Sequence, residues 1–204
     1  MTVEQALARL RESPHSEAML SEAEFRGEKS LSVKIESLPG LCKFCRDELG
    51  FDYLIDIASI DHFGDYPRYE IVYELYSMAS GLHLRLKTLV PDEDNPVAPT
   101  VTGIWPTADW HEREVYDMMG IRFDGHPDLR RILMWDGYPF FPLRKDFPLE
   151  GKRSEMAEVA FTDVAPLAGG PFVTAPTDGT TQVREPRARR AGDDLPRDKF
   201  VAEP

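Results

Sequence analysis

Apolar residues recur at helical spacing near the start of the chain. Val3, Ala6, Leu7 and Leu10 line one side of TVEQALARLRE and predict a short amphipathic helix over residues 2–12. LSVKIES (31–37) alternates and predicts a strand. LPGLCKFCRDELG then predicts a helix with Leu41, Phe44, Cys45 and Leu49 near one face, stopping at Gly50, a residue suited to a left-handed helix end. Three strands follow. FDYLIDIASIDHF is apolar at alternate positions, RYEIVYELYSM is rich in β-branched and aromatic residues, and GLHLRLKTLVP alternates Leu82, Leu84 and Leu86 with His83, Arg85 and Lys87. The turn-rich HFGDYP and SMASG between them predict an antiparallel meander. PDEDNPVAP reads as a loop, and a further helix begins near Thr107 or Asp109 and stops at Gly120. This order predicts an α+β domain over residues 1–150, an antiparallel β-sheet packed with helices.

The pattern fails beyond about residue 150. Residues 151–204 hold six of the 17 prolines, with GG, DGTT and RARRAGDD, and no periodic apolar positions. Such a segment cannot bury enough surface to fold alone, and it is expected to be an extended tail wrapping partner subunits. Of the net charge of −12, the first 150 residues carry −11. That balance argues against nucleic acid as a partner, because phosphate binding needs an electropositive face. Nor is there a run of about eighteen apolar residues that could span a bilayer. The first residues resemble neither a secretory nor a transit peptide, and the expectation is a bacterial cytoplasmic chain.

Candidate chemistry is sparse. Cys42 and Cys45 form a lone CxxC with no second ligand pair to complete a tetrahedral zinc site, so packing thiols are expected and no metal. The densest charge lies in WHEREVYDMMGIRFDGHPDLRRIL (110–133). On a helical wheel Ala108, Val115, Tyr116, Met118 and Met119 share one arc, while Arg113, Glu114 and Asp117 fall opposite. Glu112 lies inside the apolar arc. An unpaired buried carboxylate is costly, so Glu112 is expected to pair with an arginine, and Arg130 and Arg131 follow on a short turn after Pro127. Glu112 and Glu114, two apart, point to different sides of the helix and cannot act as one acid–base dyad. His126 has no nearby nucleophile, and no phosphate loop or nucleophile elbow occurs. PFFPLRKDFPLEGK (139–152) has prolines at 139, 142 and 148, which exclude helix and central strand. It predicts an extended C-terminal arm carrying an exposed cationic pair, Arg144 and Lys145, and docking into a partner's groove.

EREVYDMMGI, GHPDLRRIL and PLRKDFPLEG, in that order and spacing, resemble the thirty-kilodalton (C-type) subunit family of respiratory complex I, NADH:quinone oxidoreductase. The similarity runs from about Phe51 to Lys152. The family motifs map onto Glu112, Arg113, Glu114, Asp117 and Gly120, onto His126, Pro127, Leu129, Arg130 and Arg131, and onto Pro142, Leu143, Arg144, Lys145 and Asp146. The arm is completed by Phe140, Phe141, Phe147 and Pro148. Many relatives approach it through a Gly-His-Pro-type sequence, whereas this chain uses Tyr138-Pro139-Phe140-Phe141. The resemblance implies a non-catalytic subunit of the peripheral arm of a membrane complex, on the cytoplasmic side of a bacterial inner membrane, lying against the larger quinone-site (D-type) subunit. It implies no cofactor in this chain, with flavin, iron–sulfur clusters and quinone on other subunits. Related subunits serve membrane-bound hydrogenases and other quinone oxidoreductases. A free-standing acidic enzyme is the reading of another class.

Overall fold

In the computed structural model residues 2–148 are described. The chain divides into two units, Met1–Asp146 and Phe147–Pro204. Helix α1 (Val3–Glu12) starts on a capping box, in which the Thr2 hydroxyl accepts from the Gln5 N–H and the Gln5 side chain accepts from the Thr2 N–H. Strands β1 (Met19–Phe25) and β2 (Glu28–Val33) form a hairpin through Arg26 and Gly27, both at positive φ (53° and 84°). A two-residue turn of that kind matches the twist of the strands it joins. Helix α2 (Leu38–Asp47) leads to β3 (Tyr53–Asp61), β4 (Tyr69–Tyr76) and β5 (His83–Val90). A short strand β6 (Val97–Pro99), helix α3 (Ala108–Met119) and β7 (Arg122–Asp124) complete the fold.

The fold is α+β, and its five-stranded sheet runs β1-β2-β5-β4-β3. The expected meander is there, since β3, β4 and β5 pair antiparallel. The all-antiparallel sheet is not. Ser30–Ser32 of β2 pair parallel with Arg85–Lys87 of β5, so the sheet is mixed. After β2 the chain crosses by α2 to the far edge, enters at β3 and meanders back, which lands β5 beside β2 in the same direction. Strand LSVKIES is displaced as well: β2 ends at Val33, and Ile35–Ser37 form a 3-10 turn. Strands β1 and β6 had no alternating apolar signal to reveal them, whereas Ile121-Arg122-Phe123 at β7 does alternate. Six of the seven residues of β1 are exposed, on both faces, and β6 with β7 is a three-residue parallel pair made partly from the predicted loop.

The helices share one core with the inward positions of the sheet: Leu7, Leu10, Leu41, Cys42, Cys45, Val115 and Met118 meet Leu31, Ile57, Ile71, Tyr73, Leu84 and Leu86. Both cysteines are buried and unbridged, and burial pushes the Cys45 thiol up to about 12. A thiol held protonated is neither a good nucleophile nor a good ligand. Among the described residues, no helix is long and apolar enough to cross a membrane.

Candidate functional site

Helix α3 carries the charge-dense motif. Its C-terminus closes on Gly120, in the left-handed region at φ 76°, whose N–H reaches the Tyr116 carbonyl. Glu112 is fully buried, as the wheel requires. Its expected arginine partner is not there. Glu112 Oε1 accepts the Val101 N–H at 2.7 Å and Oε2 accepts the Thr100 hydroxyl at 2.6 Å. Thr100 in turn accepts the Thr102 N–H. Glu112 therefore ties α3 to the 100–102 turn through two neutral donors and no cation. Burial pushes its pKa up to about 7, against the lowering effect of its two hydrogen bonds.

A raised carboxyl pKa makes the folded state hold its proton above the unfolded value of 4.5. Stability contributed by protonated Glu112 is therefore full below pH 4.5, falls as pH rises to about 7, and is flat above. At 1.36 kcal/mol per unit the whole effect is roughly 3 kcal/mol. Glu112→Gln can still accept from Val101, so it should unfold like wild type at pH 5 and be more stable by about 1–3 kcal/mol at pH 8. Urea melts at the two pH values check this, and parallel pH dependence in both proteins would show that Glu112 does not titrate in this range.

The other charged stripe of α3 is not the solvent face that the wheel gives it. Only Glu114 is exposed; Arg113 and Asp117 are buried. A wheel sees one helix, and here residues 126–134 return and run along the stripe. Asp117 Oδ2 accepts the N–H groups of Ile132, Leu133 and Met134 at 3.0, 2.7 and 2.8 Å, while Oδ1 accepts from Arg131 Nη1 at 2.5 Å. Burial raises the Asp117 pKa, but these bonds outweigh it and hold the group below the usual carboxylate value. Arg131 also donates to the carbonyls of Asp117, Tyr138 and Phe140. Arg113 donates to the carbonyls of Arg130 and Arg131 at 3.2 and 3.3 Å, and its guanidinium lies 5.2 Å from the centre of the Trp110 ring. The buried ion pair is thus Asp117–Arg131, not Glu112 with either arginine.

His126 is anchored at the other end of the loop. Its Nδ1 accepts the Asp128 N–H at 3.0 Å, which places the ring proton on Nε2, 3.2 Å from the Asp109 carbonyl and 3.1 Å from Asp109 Oδ1. Pro127 is exposed, Leu129 packs on the core, and Arg130 pairs with Asp128 on the surface.

The C-terminal arm differs from expectation over its described part. It does not run extended; turns at 142–146 fold it back on its own domain. The Leu143 N–H donates to the Met118 carbonyl and Arg144 Nε to the Met119 carbonyl at 2.7 Å. Arg144 stacks on Phe141 and Tyr69, 4.5 and 5.3 Å from the ring centres, so it is not an exposed cation. Phe140, Phe141 and Pro142 are half-buried. The Lys145 N–H donates to Asp61, which holds Arg68 through two 2.8 Å bonds, and Arg68 reaches Asp146. Leu143 and Lys145 do face solvent. Phe147 and Pro148 belong to the second unit, and the expected tail over 151–204 lies outside the described residues. Thr100, Asp61 and Arg68 had no local signal in the sequence, since their partners lie 7 to 84 residues away.

Comparison with known proteins agrees with the motifs. Residues 31–153 match the family model described as respiratory-chain NADH dehydrogenase, 30 Kd subunit. A C-type NADH-quinone oxidoreductase subunit of Rhizobium meliloti is 48% identical over 129 residues, covering 62% of this chain and 70% of that one. The C-type NADH-quinone oxidoreductase subunit of Geotalea uraniireducens is 44% identical over 150 residues, 74% of this chain and 90% of that one. Among solved structures, a trypsin-resistant fragment of Nqo5 superposes with TM-score 0.56 at 33% identity, over 63% of this chain and 100% of the fragment. A chain of the membrane-bound sulfane sulfur reductase, an archaeal respiratory membrane complex, gives TM-score 0.62 at 25% identity, over 72% of this chain and 86% of that one. The chain belongs to the 30 Kd subunit family of respiratory-chain NADH dehydrogenase.

Proposed function

We propose that this chain is a structural and assembly subunit of the peripheral arm of a proton-translocating NADH:quinone oxidoreductase, docked on the quinone-site subunit at the cytoplasmic side of a bacterial inner membrane. In this reading it carries no flavin, iron–sulfur cluster or quinone of its own; those groups reside on its partners, and electrons pass from NADH to quinone beside it. One observation carries the reading. The charged side chains that a catalytic motif would offer to a substrate are here turned onto the protein's own backbone: Asp117 onto three N–H groups, Arg131 and Arg113 onto carbonyls, Glu112 onto Val101. Such groups shape a rigid surface and leave the chemistry to others.

Because Arg144 and Phe141 hold the arm to its own domain, docking falls to the side chains that stay in solvent, Leu143 and Lys145. The test is to delete the gene for this chain in its own host and to restore it with wild type or with Leu143→Asp and Lys145→Glu together. Wild type should recover membrane NADH:quinone activity. The double variant should melt within about 0.5 kcal/mol of wild type, as surface changes do, yet give less assembled complex by blue-native electrophoresis. Undiminished NADH:quinone activity in the deletion strain would sink the reading. Loss of a hydrogenase or sulfur-reductase activity in its place would assign the chain to a related complex, a reading favoured by its likeness to the archaeal assembly.

A further inference from the structure

Of the two strands of the β1–β2 hairpin, β2 sends Leu31 and Val33 into the core and β1 stays almost wholly exposed. Strand β1 ends the sheet, and no strand lies beyond it among the described residues. Six of its seven residues are exposed, including Leu20 at 59% and Phe25 at 70%. It buries almost nothing, yet it keeps a regular ladder with β2 from Ser21 to Phe25. An edge of this kind presents alternate N–H and C=O groups outward and is a template for another extended chain. Natural edges are commonly blunted by free charges. Here the charges are taken up: Arg11 of α1 forks onto Glu22 at 3.0 and 2.6 Å, and Lys29 of β2 holds Glu24 at 2.5 Å.

The edge also has a receiving pocket. Glu22 and Glu24 pair in register with Leu31 and Lys29, so they lie on the helix side of the sheet. On that side Arg11, Ser16, Met19 and Leu20 enclose, with Ser21 and Glu22, a shallow open pocket of about 380 Å³. A strand added beyond β1 would place one inward side chain there, between α1 and the start of β1. The surroundings set its charge. Residues 1–33, which span α1 and the hairpin, hold six glutamates against three arginines and one lysine, and Glu12 and Glu17, next in sequence to the pocket residues Arg11 and Ser16, make no ion pair among the described residues. A strand with Lys or Arg flanking one apolar residue complements them.

We propose that β1 receives an extended, basic segment of a partner subunit as a sixth strand of the sheet, anchored by one apolar side chain in the pocket at Met19 and Leu20. This rests on the reading of the chain as a subunit of a larger complex, and it adds a second contact apart from the arm.

N–H groups alternate in direction along a strand. Of Glu22→Pro and Ala23→Pro, one therefore removes a bond to β2 and the other an outward N–H, and proline is tolerated where the N–H faces out. Thermal melts of the two full-length variants identify the outward one as the protein that melts like wild type. That variant should lower incorporation into the membrane complex about tenfold, the loss expected when one main-chain bond of an added strand is removed together with its register. Raised salt should deepen the defect. Placement is read separately by Ala23→Cys carrying a benzophenone maleimide, since Cys42 and Cys45 are buried and stay unlabelled. In the assembled complex the crosslink should map to one basic, extended peptide of a partner. If wild type assembles and the outward proline variant assembles equally, or if the crosslink joins two copies of this chain or none, the proposal fails while the reading of the chain as a subunit stands. If wild type itself does not enter the complex, that reading fails first.

Discussion

Asp117→Ala should destabilise the domain by about 4–5 kcal/mol, the upper part of the range for breaking a buried ion pair. The substitution strands four donors at once. Arg131 keeps its buried charge without a counter-ion, and the N–H groups of Ile132, Leu133 and Met134 lose their acceptor. An unpartnered buried N–H costs about 1–3 kcal/mol, although a loop can relax toward water and recover part of that. Glu114→Ala, three positions earlier on the same helix and exposed, should change stability by less than about 0.5 kcal/mol. Asp117→Asn separates charge from geometry, since it still offers an oxygen to the loop but none of the charge. It should fall between the two, at about 2–3 kcal/mol. The pH dependence has a fixed sign. The Asp117 pKa is depressed in the folded state, so its contribution is full above the ordinary value of 3.8 and is lost as pH falls through the lower folded value. Wild type and Asp117→Asn should therefore converge on acidification. Urea unfolding from pH 3 to 7 decides it. Equal, small losses for Asp117→Ala and Glu114→Ala would mean that the loop 126–134 is not held by this carboxylate.

The contrast between Asp117 and Glu112 shows how far the sequence could be read. Periodicity within one element was legible: α1, α2, α3 and the β3–β5 meander all announce themselves, and so does the burial of Glu112 among apolar neighbours. What α3 packs against was not legible. The loop covering Arg113 and Asp117 has neither helical nor strand period, and its hold on the helix is made through its own backbone N–H and C=O groups. These have no residue identity to find in a sequence. The same reason hid the partner of Glu112, since the Val101 N–H is a donor that any residue but proline would supply. Chemistry suggested a cation because a buried carboxylate needs a partner, but a backbone donor and a hydroxyl suffice when the carboxyl is partly protonated. Strand β1 escaped for another reason, because it has no buried face to write a pattern. The family motifs were legible because they are linear. They identify what must be built in this region without saying how.

Gly120→Ala should destabilise the domain by about 2–5 kcal/mol, for a reason that involves the arm. At φ 76° any L-residue pays roughly 1–2 kcal/mol for the left-handed geometry. The added methyl would also stand 2.6 Å from Arg144 Nη2 and 2.7 Å from Phe141 Cε2. The end of an arginine can swing aside at modest cost, although it then gives up its bond to the Met119 carbonyl. The phenyl ring cannot, because its own segment is fixed by Arg131 at the Phe140 carbonyl and by Met118 at the Leu143 N–H. Overpacking of this kind costs about 1–3 kcal/mol, giving a total of about 2–5 kcal/mol. Gly120 is thus the spot where α3 ends closely enough for the returning arm to lie on it. A double-mutant cycle isolates the clash from the backbone term. Phe141→Ala alone should cost about 3 kcal/mol as a large-to-small change at a half-buried site. Combined with Gly120→Ala, it should cost about 1–2 kcal/mol less than the sum of the two, because the methyl then enters space that the ring has left. The residue of the Gly120→Ala effect in that background measures the left-handed strain. Strict additivity in urea melts would mean that the arm does not rest on Gly120, and that Arg144 and Phe141 are free to meet a partner.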